Sequence, residues 1–175
     1  LKTVQTLDNI DVPKPCIDMQ DEGYNVEWSQ ELSLEESFDE YLKAWVLVHA
    51  LHRHFNFPGS RPGVLFDVSV GYDLKGIRQG NMQRFLERCL DASEEINRVV
   101  STVATVFPEV AEVEVPQRLA GGVTISTMHG CPPEEIVQIA THLMEQWGLN
   151  TPIKLNPTLL GSDELTFLLH DLLRY

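Results

Sequence analysis

From Gly121 to Ile136 the chain reads GGVTISTMHGCPPEEI. A β-branched run (Val123, Thr124, Ile125) gives way to a polar turn around Gly130, and Pro132 and Pro133 then open a segment whose first residues are acidic. β-Branched side chains suit a pleated strand. Proline at the first helical position and carboxylates in the first turn suit the start of a helix. The stretch therefore predicts a strand that runs into a loop, with a helix carrying the chain back. That arrangement commits its neighbours to a parallel sheet. In parallel α/β folds the loop lies at the carboxyl end of the strand, where such folds place their reactive groups. Ser126, Thr127, His129 and Cys131 all fall on it.

The same alternation recurs along the chain. Leu1 to Leu7 reads as the end of a strand, with Lys2 and Thr3 at its carboxyl edge. A long acidic and aromatic connection follows, of the length usual for a lid or a binding loop. Ser33 and Glu36 form a capping box that opens a helix to about Phe55. Leu34, Phe38, Tyr41, Leu42, Trp45, Val48 and His52 supply its buried stripe. Val64 to Val70 is a nearly continuous apolar run broken by Asp67 and Ser69, as for a strand covered on both faces, and Gly71, Tyr72 and Asp73 form its carboxyl-edge loop. Two helical patterns follow, one after Gly80 and one from Ile96 to about Pro108. EVAEVEVPQR alternates and fits either a small edge strand or a loop. The helix after Pro133 runs to Trp147, with Ile136, Ile139, Ala140, Leu143, Met144 and Trp147 facing inward and Gly148 as its stop. Thr151 to Leu155 is a short strand, and Ser162 caps a final helix carrying Leu165, Leu168, Leu169, Leu172 and Leu173.

Four strand–helix units predict an α/β fold with about four parallel strands and flanking helices. A complete (β/α)₈ barrel takes eight such units in about 250 residues. Residues 1–175 are thus expected to form a single segment, about the first half of a TIM barrel. The rival is an open doubly wound sheet, whose G-x-G-x-x-G fingerprint follows none of these strands; a phosphate-binding P-loop pattern is missing too. The chain starts at Leu1 rather than methionine and stops at Tyr175 inside a helical pattern, so a segment of a longer polypeptide is expected.

Charge narrows the partners. Thirteen basic against 26 acidic residues give a formal net charge of −13, which argues against binding nucleic acid. Nine carboxylates and no Lys or Arg lie between Asp18 and Glu40, either a solvated face or a surface for docking a basic domain. No apolar run reaches the ~18 residues of a membrane span. Cys16, Cys89 and Cys131 are too widely spaced for a disulfide framework, and this usage suits a reducing cytoplasm. Cys89 stands among Phe85, Leu86 and Leu90 at helical spacing and reads as core.

Chemistry is expected at the carboxyl edges, from Lys2 and Thr3, Tyr72 and Asp73, Ser126 to Cys131, and Lys154 with Asn156. Lys2 and Lys154 both end otherwise apolar strands, so each ammonium needs a partner: a nearby carboxylate, a bound anion, or an electron-rich ring. Cys131 precedes a helix N-terminus, which favours thiolate; the alternative is a buried, unreactive thiol. His129 with Cys131 is a weak metal signal without two further ligands, and no metal site is expected. His49, His52 and His54 suit the helix C-terminus better than a metal.

The strings LKTVQTLD, KPCID, EWSQE, DEYLKAW, SVGYDLKGI, STMHGCPPEEI and KLNPTLLG resemble the N-terminal part of the selenate reductase subunit family, bacterial flavin/iron–sulfur oxidoreductases. At greater distance the segment resembles the FMN barrels of dihydroorotate and dihydropyrimidine dehydrogenases. The resemblance implies an FMN-linked barrel working by hydride or electron transfer. Lys2, Thr3, Asp73, Ser126, Lys154 and Asn156 would then face the cofactor or its substrate, with proton handling by Cys131 or Thr127. The Asn-x-Ser-Cys(or Ser)-Pro motif of those dehydrogenase barrels is altered here: Thr127 stands where its base would be and Thr124 where its Asn would be. The resemblance also implies a 4Fe-4S cluster and an FAD or NAD(P) site in other parts of the parent chain. Partners would be the rest of that chain or other redox subunits, and the isolated segment is expected to bind FMN poorly. The competing expectation is a barrel without catalysis that serves as a docking scaffold.

Overall fold

The computed structural model describes residues 33–71, 73–126, 132–154 and 161–174. Helix α1 spans Leu34–His54 and starts as the capping box dictates: Glu36 N–H donates to Ser33 Oγ, and Ser33 N–H donates to the Glu36 carboxylate at 2.8 Å. Two orphan amides at the helix start are thereby satisfied. Phe38, Tyr41, Leu42, Trp45 and Val46 turn inward and build the core with the helices that follow. Val48 and His52, expected in that stripe, are only half-buried, and Val46 and His49 are buried in their place. Edge-to-face contacts of Phe38 and Tyr41 with Phe85, at 6.1 and 6.4 Å between centroids, seat α1 against α3, Gly80–Leu90.

Strand β1, Asp67–Val70, is shorter than the apolar run from Val64. Its partner explains this. Strand β2, Gly122–Ser126, pairs in parallel with Asp67 opposite Gly122, so residues 64 and 65 extend past the start of the sheet and Leu65 is 98% exposed. Strand β3, Ile153–Lys154, pairs in parallel with the end of β2, giving the order β1-β2-β3. The link from β1 to β2 runs through α2 (Leu74–Ile77), α3 and α4 (Ser93–Ala104); α5 (Pro133–Trp147) links β2 to β3. Sequential parallel strands joined by helices are the arrangement of a partial (β/α)₈ barrel. The candidate first strand, residues 1–7, lies outside the described residues.

Several elements differ from the sequence expectation. The short α2 follows Asp73 directly, where only a loop was expected. EVAEVEVPQR forms neither strand nor plain loop at its start: a 3₁₀ turn at Pro108–Glu112 opens on the proline, and the chain then continues outside any strand of the described residues. Helix α5 ends at Gly148, whose φ of 60° is left-handed, as expected; its inner face is narrower, with Ile139 and Leu143 buried and Met144 57% exposed. Helix α6, Gly161–Thr166, contains Ser162 instead of being capped by it and passes into a wider π turn at Phe167–Leu172. Its apolar residues are not packed on the described core.

Candidate functional site

Alternation along the strands sets two faces. Val68, Val70, Val123 and Ile125 are buried in the apolar core beneath the helices. Asp67, Ser69, Gly122, Thr124 and Ser126 therefore lie on the opposite face, which in a closed barrel is the interior. Lys154 stands in register with Ser126 and shares that face at its carboxyl edge. Gly122 is needed here: a Cβ would lie 2.7 Å from Asp67 Oδ1 and 2.9 Å from Asn150 O.

Ser126 is the residue that most distinguishes this edge. It is 4% exposed, and among the described residues its Oγ has no hydrogen-bond partner. A buried hydroxyl left without a partner costs free energy that native structures usually avoid. It stands at the point where the chain leaves β2, in register with Lys154.

Asp73 occupies the corresponding place after β1. Its Oδ1 accepts from Gly76 N–H at 2.6 Å as the N-cap of α2. Glu135, in the first turn of α5, accepts from Leu74 N–H at 3.0 Å. The loops after β1 and β2 are thus tied together at their helix starts. Sequence reasoning did not single out Glu135; the acidic pair after two prolines was its only trace. On the side of β1 away from β2, Tyr41 Oη accepts from Ser69 N–H at 3.1 Å. Burial pushes the Tyr41 hydroxyl up to about 12, against the opposing effect of that hydrogen bond.

The structure therefore brings Ser126 and Lys154 together and puts Asp73 on the same edge, engaged in a helix cap. Lys2, Thr3, Thr127, His129, Cys131 and Asn156 lie outside the described residues. Cys89 is core, as read from its spacing: it is fully buried, and burial pushes its thiol up to about 12. Among the described residues no cluster of His, Cys, Asp and Glu could hold a metal ion. His49, in the cluster near the end of α1, hydrogen-bonds through Nδ1 to Trp45 O at 2.9 Å. Among the described residues, two cavities are lined largely by helix residues. One, of about 320 Å³, is lined by His49, His52 and Arg53; the other, of about 480 Å³, lies between Arg78 and His142. No described helix is long and apolar enough to cross a membrane.

The family described as "Oxidoreductase YgfK, N-terminal TIM-barrel domain" matches over residues 1–175. Two curated relatives, the YgfK proteins of Escherichia coli K12 and O157:H7, whose names assign them provisionally to the oxidoreductases, are 42% identical over 180 residues. The match takes in 92% of this chain and 17% of each relative. No solved structure matches.

Proposed function

We propose, for a chain that belongs to the family of YgfK oxidoreductase N-terminal TIM-barrel domains, that it forms the opening half of a flavin-binding barrel in a longer oxidoreductase. The observation that carries this reading is the buried, unpartnered Ser126 Oγ in register with Lys154 at the carboxyl edge of the sheet. That pair fits a flavin: a hydroxyl able to bond a ring heteroatom, on a residue in register with a lysine whose charge would favour negative charge on the ring. FMN is the expected form, and when bound it would supply hydride or single-electron acceptance.

The chain's own residues would act around it. Ser126 would orient the ring, and Lys154, with Lys2, would favour its anionic reduced form. Thr3, Asp73 and Asn156 would line the same edge, and Cys131 or Thr127 would take up the proton. The tie between Glu135 and the start of α2 holds the two loops of this edge in one arrangement. An iron–sulfur cluster and an FAD or NAD(P) site belong to other parts of the parent chain in this reading. Selenate is the first acceptor to assay, and the cytoplasm is the proposed location.

The test is cofactor content of the full-length parent, read as FMN released by acid and separated chromatographically, so that iron–sulfur absorbance does not interfere. Stoichiometric FMN in the parent, lowered several-fold in Ser126→Ala and Lys154→Gln, is expected. A parent purified without FMN, or variants that retain it fully, overturns the reading.

A further inference from the structure

Helix α1 buries a histidine on the wall of a cavity. His49 is 4% exposed, and its Nδ1 lies 2.9 Å from Trp45 O. A carbonyl only accepts, so Nδ1 carries the proton, and Nε2 of the neutral ring offers a lone pair. Burial, with a smaller effect from the charges of His52 and Arg61, holds the ring below the ordinary histidine value, so it is neutral near pH 7. Its packing against the Trp45 ring, with centroids 4.2 Å apart, fixes its plane. Nε2 makes no hydrogen bond among the described residues. A buried acceptor in that position needs a donor, and the cavity of about 320 Å³ that the ring lines is where one can enter.

The other walls narrow that donor. The charges there are engaged with one another: Arg53 pairs with Glu112 at 3.6 Å, and Arg61 pairs with Glu114. An occupant therefore has no net charge to neutralise. The carboxylates of Glu112 and Glu114 still accept, Arg53 and Asn56 still donate, and Phe57 adds an apolar wall. Groups that meet acceptors and donors in one small space must do both, as a hydroxyl does and an ammonium or a phosphate dianion does not. A metal ion is a poor alternative, because no metal-holding cluster of His, Cys, Asp and Glu forms among the described residues. Pockets for small ligands start at about 300 Å³, so the occupant is small. We propose that this cavity binds an uncharged polyol of monosaccharide size, one hydroxyl of which donates to His49 Nε2. The proposal does not rest on the flavin reading.

The experiment uses the full-length parent and saturation-transfer NMR, with D-ribose and D-glucose as the probes. Transfer to at least one sugar is expected, with a dissociation constant on the order of millimolar for a ligand of this size. His49→Phe keeps a ring against Trp45 and removes the lone pair; binding at least tenfold weaker is expected. Asn56→Gly is the second variant. Asn56 has a φ of 52°, which glycine adopts readily, so the turn survives while the side-chain amide is lost. Several-fold weaker binding is expected there, and this variant decides alone if His49→Phe lowers the urea midpoint. No transfer to either sugar in the parent leaves water as the occupant and overturns the proposal. Equal binding in parent and variants places the sugar elsewhere and overturns it as well.

Discussion

Gly122→Ala tests the inner face of the sheet directly. An added methyl would lie 2.7 Å from Asp67 Oδ1 and 2.9 Å from Asn150 O, both closer than real Cβ contacts allow. The two neighbours differ in what they can yield. The Asp67 carboxylate sits at the end of a rotatable side chain and can turn away. Asn150 O belongs to the backbone and accepts from Val123 N–H at 2.7 Å, so moving it loosens the pairing of the central strand. Overpacking of this kind costs about 1–3 kcal/mol, and two contacts of this closeness place Gly122→Ala near 2 kcal/mol. In urea, with a slope of about 1–3 kcal/mol per molar, that is a midpoint shift on the order of 1 M at unchanged slope. Repeating the substitution in an Asp67→Ala background separates the two contacts. About half of the loss should remain, because the carbonyl has not moved. A loss below about 0.5 kcal/mol, or its complete disappearance in the Asp67→Ala background, would refute the reasoning.

Two further outcomes concern residues packed in or against the core. Arg88 donates to Glu35 at 2.6 Å and to Glu95 at 2.9 Å while its guanidinium lies 3.8 Å from the Phe38 ring centroid. Lysine cannot make the fork and the stack together, so Arg88→Lys should cost about 1 kcal/mol after allowance for partial exposure; equal urea midpoints would exclude the fork. Stability should also fall toward both ends of the pH scale. Burial holds the His49 and His142 imidazoles below their ordinary value, with Arg78 adding to the effect at His142. Their contribution is present above the unfolded histidine value and is lost as pH falls through the lowered folded ones. Tyr41, pushed up to about 12 by burial, contributes below its unfolded value of about 10 and loses that contribution as pH rises toward 12. Urea midpoints across pH should lose part of the acid slope in His142→Gln and part of the alkaline slope in Tyr41→Phe; unchanged slopes would remove these groups from the account.

The parts of the fold that were legible in the sequence are those whose cause is local. Ser33 and Glu36 start α1 because each satisfies the other's backbone. Gly148 ends α5 because the chain there needs a left-handed residue. Cys89 is buried because its neighbours repeat at the helical period. The misses share a different cause. An apolar period records that a face wants a partner, but not which element supplies it. Val64 and Leu65 read as strand, yet β2 starts opposite Asp67 and leaves them without a pair. Met144 and the apolar residues of α6 read as inner-facing, yet no described element covers them. The four residues of α2 were hidden because a single turn is too short to show a period.

The site was legible in one respect that outweighs the motif. A strand buried on both faces should read as an unbroken apolar run, and in a barrel interior branched apolar side chains dominate. Here Asp67 and Ser69 interrupt that run, and both fall on the face away from the helices. Thr124, Ser126 and Lys154 continue the same polar face across β2 and β3. Such a face gains little from apolar burial, so it is stable only against water or a polar occupant that returns its hydrogen bonds. Serine at the end of a strand meant nothing in the sequence because it is common there. Its burial with no hydrogen-bond partner among the described residues, in register with Lys154 at the carboxyl edge of the sheet, is what makes Ser126 a claim about a ligand rather than about a loop.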